Sequence, residues 1–262
     1  VTQTQAQPRD DLPTVAALAV IAMCGVTIDH EALGHGSACL AAGGHIQLLT
    51  SSLFRCDARS PWIDPAGPAG NLLMGALALG LSRLAPQRWT HLRLALLLVT
   101  AFSWFWEAGY VIQAMIERHG DLYSTGENFL GEPSGGWRVG AIAAGLALYV
   151  ATIRLTWAGL LSLQPEPAKA RRLARTAWLA ATAGAVLAAL TCRVSLAQDV
   201  HDAFAEIGLA AFPLGFIPRG QSGHADEPTA LARSWAAILL AVLVFALFIA
   251  TLGRGIGAAI VG

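Results

Sequence analysis

Six stretches of this chain are apolar for about as long as a helix needs to cross a lipid bilayer. A bilayer's hydrocarbon takes about 20 mostly apolar helical residues to span. The stretches are 13–40, 66–84, 91–117, 137–162, 173–192 and 231–253. Few soluble folds tolerate that pattern. Composition agrees: 55% of the 262 residues are hydrophobic and 13% charged, where a soluble domain usually carries about 25% charged residues. Mean hydropathy is +0.55. The expected fold is therefore all-α, a single integral membrane domain with about six transmembrane helices. Gly and Ala are frequent within the stretches, which lets helix backbones approach closely in lipid.

Charge narrows the classes of function. Lys plus Arg and Asp plus Glu balance at 17 each. There is no overall electrostatic pull on nucleic acid, no basic block with interleaved aromatics, no phosphate-binding glycine loop and no zinc-finger spacing. No nucleic-acid partner is expected; membrane lipids are.

The polar N-terminus, VTQTQAQPRDDLPT, lacks the pattern of a cleaved signal peptide. The loop after the second stretch carries Arg83, Arg88 and Arg93 with no acid. The loop after the fourth carries Lys169, Arg171, Arg172 and Arg175 against Glu166. Short loops rich in Lys and Arg stay cytoplasmic. The loops after the third and fifth stretches are acidic and are expected outside. Both termini then lie in the cytoplasm of a plasma or inner membrane. Trp89, Trp137 and Trp235 sit near stretch ends, where aromatic belts form.

Within the first stretch stands DHEALGH, residues 29–35. An ionisable group at that depth costs on the order of 2.5–3.5 kcal/mol by insertion scales. Such groups persist when they pair, ligate or catalyse. The plainest alternative is a polar cluster that stitches helices together. His30 and His35 lie five residues apart, roughly 140° around an ideal helix, whereas residues four apart differ by about 40°. They cannot share a metal from a regular α-helix. Either a π-bulge brings both to one face, eased by Gly34, or Glu31 and His35 ligate together and His30 acts otherwise. In the first arrangement Glu31 is free to be the catalytic base.

A catalytic zinc takes three protein ligands and leaves a position for water. The expected cofactor is Zn2+, and the third ligand should come from the outer side. Asp121 is the first choice; His119, His201, Asp202 and Glu206 are secondary candidates. Glu107, in FSWFWEAGY, is one more intramembrane charge, expected behind the metal or opposite an Arg. Of the cysteines, Cys56 and Cys192 are expected at the outer edge, where an oxidising compartment would let them pair; Cys39 is the rival partner. Segment 193–229 has apolar positions suited to an interfacial helix or a lid.

HEALGHGSACLAAGG resembles the H-E-x-x-H helix of the site-2 protease family of intramembrane zinc metalloproteases. AGPAGNLLMGALALG, residues 66–80, resembles that family's G-P-x-x-N helix start, with Pro68 and Asn71 in the matching places. Together these segments cover about 50 residues. Two departures stand out. The H-E motif has one residue too many. No N-P-x-D-G segment supplies the third ligand, and EPSGGWRVG, residues 132–140, has Ser134 where the Asp would fall. The resemblance implies metal ligands His30 and His35, Glu31 as base, Asn71 contacting or orienting substrate, and hydrolysis of a membrane-embedded peptide. Hydrolysis of a lipid or another apolar molecule, and a non-catalytic membrane scaffold working with a protein partner or as an oligomer, are the other classes.

Overall fold

The computed structural model describes residues 10–216 and 230–257. Helix α1 (Leu12–Ile28) starts at Asp11, whose carboxylate accepts from the Thr14 amide at 3.1 Å, with Pro13 in the first turn. That is a side-chain N-cap followed by a residue whose φ is already helical. The helix continues without a break into a π-helical segment, Asp29–Gly36, and then α2 (Ser37–Ala41). A hairpin follows, β1 (Ile46–Leu49) against β2 (Phe54–Cys56). Next come α3 (Ile63–Leu84), α4 (Thr90–Glu117), the short α5 (Asp121–Leu130), α6 (Gly135–Leu163) and α7 (Pro167–Ala189). The chain then makes α8 (Leu196–Ala203), a second π-helical segment (Phe204–Leu209) and α9 (Pro213–Phe216). Helix α10 (Trp235–Phe248) ends in a third π-helical segment, Ile249–Gly253.

Four of these helices are long and apolar enough to cross a membrane: Leu12–Ala41, Thr90–Glu117, Gly135–Leu163 and Trp235–Gly253. They coincide with four of the six expected spans. The expected spans 66–84 and 173–192 fall in α3 and α7, which are helical over 22 and 23 residues but less apolar. Each carries charge near an end, Asp64 and Arg83 in α3, and Lys169, Arg171, Arg172 and Arg175 in α7. The last apolar run begins its helix at Trp235, because Ser234 caps it through a 3.2 Å bond from the Ala237 amide.

The core is made where α4 and α7 each pack against α1. Phe102, Phe105 and Trp106 of α4 are buried, not lipid-facing, beside Met23 and Leu18 of α1. Helix α7 presents Ala170, Ala174, Ala177, Ala181 and Ala188, all fully buried. These recur at helical spacing and form one stripe. Small residues along such a stripe let two helix backbones approach closely, and close van der Waals contact then holds them together.

The hairpin leaves no mark in the sequence, because IQLL and FRC are too short to show strand alternation. It closes a disulfide between Cys39 and Cys56, with Cα atoms 6.0 Å apart. The expected Cys56–Cys192 pairing is corrected. The chain reverses through Gly43, at φ 77°, and the hairpin brings Cys56 back over the end of α2. Cys24 and Cys192 are free and buried. A cross-link closing a loop of this size stabilises by roughly 3 kcal/mol.

Candidate metal centre

The π-helical segment resolves the spacing of HEALGH. Widening the turn puts His30 and His35 on one face, with ring centroids 4.9 Å apart. Their Nε2 atoms approach the same oxygen of Asp121, at 3.6 Å and 3.2 Å. Ligand atoms of these three residues lie within 4.8 Å of one another, which makes them the one group among the described residues able to hold a metal ion.

Each imidazole is fixed from behind. His30 Nδ1 lies 3.0 Å from Glu107 Oε1, and Asn71 Nδ2 donates to the same oxygen at 2.8 Å. With Oε1 as the acceptor, Nδ1 carries the proton and Nε2 is the nitrogen turned toward Asp121. His35 Nδ1 donates to the Ile63 carbonyl at 2.8 Å, with the same result. A carboxylate or carbonyl behind each histidine is the usual support of a metal ligand, because it sets tautomer and ring angle. Trp106 stacks on the His30 ring at 4.5 Å and Phe54 on the His35 ring at 5.4 Å.

The close seat of α3 against the π-helical segment depends on two glycines. A Cβ on Gly34 would lie 2.5 Å from Gly67 Cα and 2.7 Å from the Ala66 carbonyl. A Cβ on Gly67 would collide with both imidazole rings, reaching His30 Cδ2 at 2.8 Å. This is the physical content of the AGPAG sequence. Pro68 lies inside α3, not at its first turn.

Asp121 opens α5, where an anion suits the exposed amides of a helix N-terminus. Its backbone amide donates to the Tyr110 hydroxyl at 3.0 Å. Gly120 before it sits at φ 96°, and a Cβ there would meet that hydroxyl at 2.7 Å.

All of this borders a cavity of about 720 Å³, within the range of small-molecule sites. Its walls come from the π-helical segment, the hairpin turn, the end of α4, α5 and α8. The Ser52 hydroxyl donates to Asp199 at 3.0 Å and ties the hairpin turn to α8. Glu31 lines the cavity and is buried, and its Oε2 has no hydrogen-bond partner among the described residues. His119, His201, Asp202 and Glu206 line the same cavity but stand outside the three-residue group. His201 is bonded to Asp202 at 2.9 Å. Burial and the charge of Glu31 push the Glu206 carboxyl above its usual range. Asn71 is fully buried and is not among the lining residues; its amide is directed at Glu107. The part of segment 193–229 beyond Phe216 lies outside the described residues.

Sequence reasoning passed over Trp106, Tyr110 and the Ile63 carbonyl. Tyr110 lies three residues after Glu107 and four after Trp106, and that helical spacing was the available signal. No protein-family model, curated protein or solved structure matches this chain.

Glu107→Ala removes the acceptor behind His30. We expect metal affinity to fall about 10–100-fold, read by competition against a chelator, with helicity unchanged and part of the loss recovered in Glu107→Gln. Wild-type affinity in Glu107→Ala would end its role as a positioning residue.

Proposed function

We propose that this chain is a membrane-embedded, zinc-dependent hydrolase that cleaves a peptide bond within a membrane-embedded substrate. One observation carries the reading: two imidazole nitrogens and a carboxylate converge on a cavity wall beside an unpartnered buried glutamate. The donor set fits zinc, since nitrogen and carboxylate oxygen are both ordinary zinc ligands and three of them leave a position for water. When bound, the metal lowers the pKa of that water and polarises a carbonyl. His30, His35 and Asp121 would hold it, and Glu31 would serve as the base that accepts a proton from the attacking water and passes it to the leaving amine. Glu107 and Asn71 keep His30 in its tautomer, the Ile63 carbonyl does so for His35, and Tyr110 anchors Asp121.

The HEALGH and AGPAGN segments resemble the site-2 protease pattern and meet at this site, which supports the peptidase form of the reading. The proposed topology has six spans, with α3 and α7 crossing beside the four more apolar helices. Two features support a site facing the outer side. The basic residues Arg83, Arg88 and Arg93 lie at the far end of α3 from His35. The Cys39–Cys56 disulfide lies at the site end, and disulfides persist in oxidising compartments.

The test is reconstitution of zinc-loaded protein in liposomes with a pool of membrane-spanning peptides, read by mass spectrometry. The expected result is new peptide termini that vanish with a zinc chelator. Intact peptides with hydrolysed liposome lipid would move the substrate class to lipids; neither product from metal-loaded protein would overturn the hydrolase reading.

A further inference from the structure

A second cavity, of about 310 Å³, lies between α3, α4 and α6 at the end of the bundle away from His30 and His35. Its polar rim is Arg83, Arg93, Ser82 and Ser162, and its walls include Leu79 and Leu155. It stands where α4 begins and α6 ends, at the tips of two helices apolar enough to cross a membrane. Exposed Trp89 lies in the adjoining turn, as aromatic residues do at the level of lipid headgroups.

The two arginines differ in what they already do. Arg93 Nε donates to the Ser82 carbonyl at 3.3 Å, and its Nη2 to the Ser162 hydroxyl at 3.4 Å. Those bonds satisfy a carbonyl in the last turn of α3 and fix the guanidinium plane. Three of its five N–H groups remain for a ligand. Arg83 has no hydrogen bond or ion pair among the described residues, and no Asp or Glu lines the cavity. The carbonyl ends of α3 and α6 point this way and disfavour an anion. Two full positive charges, one of them held rigid, outweigh those partial charges. Guanidinium forks match phosphate oxygens in pairs.

We infer that this groove binds an anionic phospholipid: Arg83 and Arg93 hold its phosphate, and its acyl chain lies along Leu79, Leu97 and Leu155. The apolar wall is what selects a lipid over free phosphate. A soluble anion would leave the leucines exposed to the same tails as before, whereas a lipid uses both halves of the groove.

The experiment is native mass spectrometry of the detergent-purified protein with dioleoylphosphatidylglycerol or dioleoylphosphatidylcholine. The expected result is an anionic-lipid adduct favoured by about tenfold or more, lost in Arg83→Ala and in Arg83→Ala/Arg93→Gln, with helicity and metal content unchanged. Arg83→Ala tests the charge without touching the bond that caps α3. Ala158→Trp fills the exposed edge of the groove while keeping both arginines, and is expected to lose the adduct as well. Equal retention of both lipids, or an undiminished adduct in Arg83→Ala, overturns the proposal. Displacement of the adduct by millimolar inorganic phosphate, with Ala158→Trp still binding, would make this a phosphate site and overturn the lipid assignment.

Discussion

A Glu31→Gln chain should carry as much zinc as the wild type and hydrolyse substrate about 10²–10⁴-fold more slowly. Gln keeps the shape of Glu and loses the ability to take a proton. The substitution is clean because the Glu31 Oε2 has no hydrogen-bond partner to lose among the described residues. Removing a buried charge should leave the fold at least as stable, since an unpaired buried carboxylate is costly. Metal content and thermal stability, measured beside turnover, separate the outcomes. Wild-type turnover would remove Glu31 from the chemistry. Loss of zinc would instead make it a ligand, returning to the pairing of Glu31 with His35 that their four-residue spacing first allowed.

His35→Ala and Asp121→Ala should each lose the bound metal, falling from about one zinc per chain to near none where the wild type is saturated. Binding at a protein zinc site is worth on the order of 10–16 kcal/mol over all its ligands. Removing one ligand of three forfeits several of those, or about a thousandfold or more in affinity. His119→Ala and His201→Ala serve as controls. Both residues line the cavity, but neither belongs to the group formed by His30, His35 and Asp121. Elemental analysis of the purified variants decides it. Full zinc in both His35→Ala and Asp121→Ala would sink the proposed centre. Loss in His201→Ala alone would move the centre toward α8.

The helical architecture was legible because its signal is local. An apolar run of about twenty residues has few other fates, and four of the six runs are helices with the expected length and composition. The unusual turn at His30 was legible for a related reason: two histidines and a glutamate in apolar surroundings, five and four residues apart, admit few arrangements that use them. What stayed hidden depends on distant parts of the chain. Cys56 meets Cys39 and not Cys192 because the chain turns back at Gly43 into a hairpin of two short strands, and neither strand carries enough residues to announce itself. Glu107 was visible as a buried charge, but its partner His30 lies 77 residues away. The order of helices α1, α3 and α4 around the site had to be known first. The roles of α3 and α7 sit between these cases, since their helices are legible and their relation to the bilayer depends on neighbours.

The widened turn at Asp29–Gly36 also bears on how a helix can aim side chains at unusual spacings. One added residue in an α-helix rotates everything downstream by about 100°, enough to swing a ligand from a wet pocket into lipid. Here the five-residue spacing of His30 and His35 is accommodated within eight positions, and Leu33 faces outward while both imidazoles share one aim. A spacing that a regular helix could not use is made usable by a local change of pitch. Metal centres in membrane helices are therefore better defined by which nitrogens share a face than by how many letters separate them, and a helix able to widen locally gives evolution room to edit its length without losing its alignment.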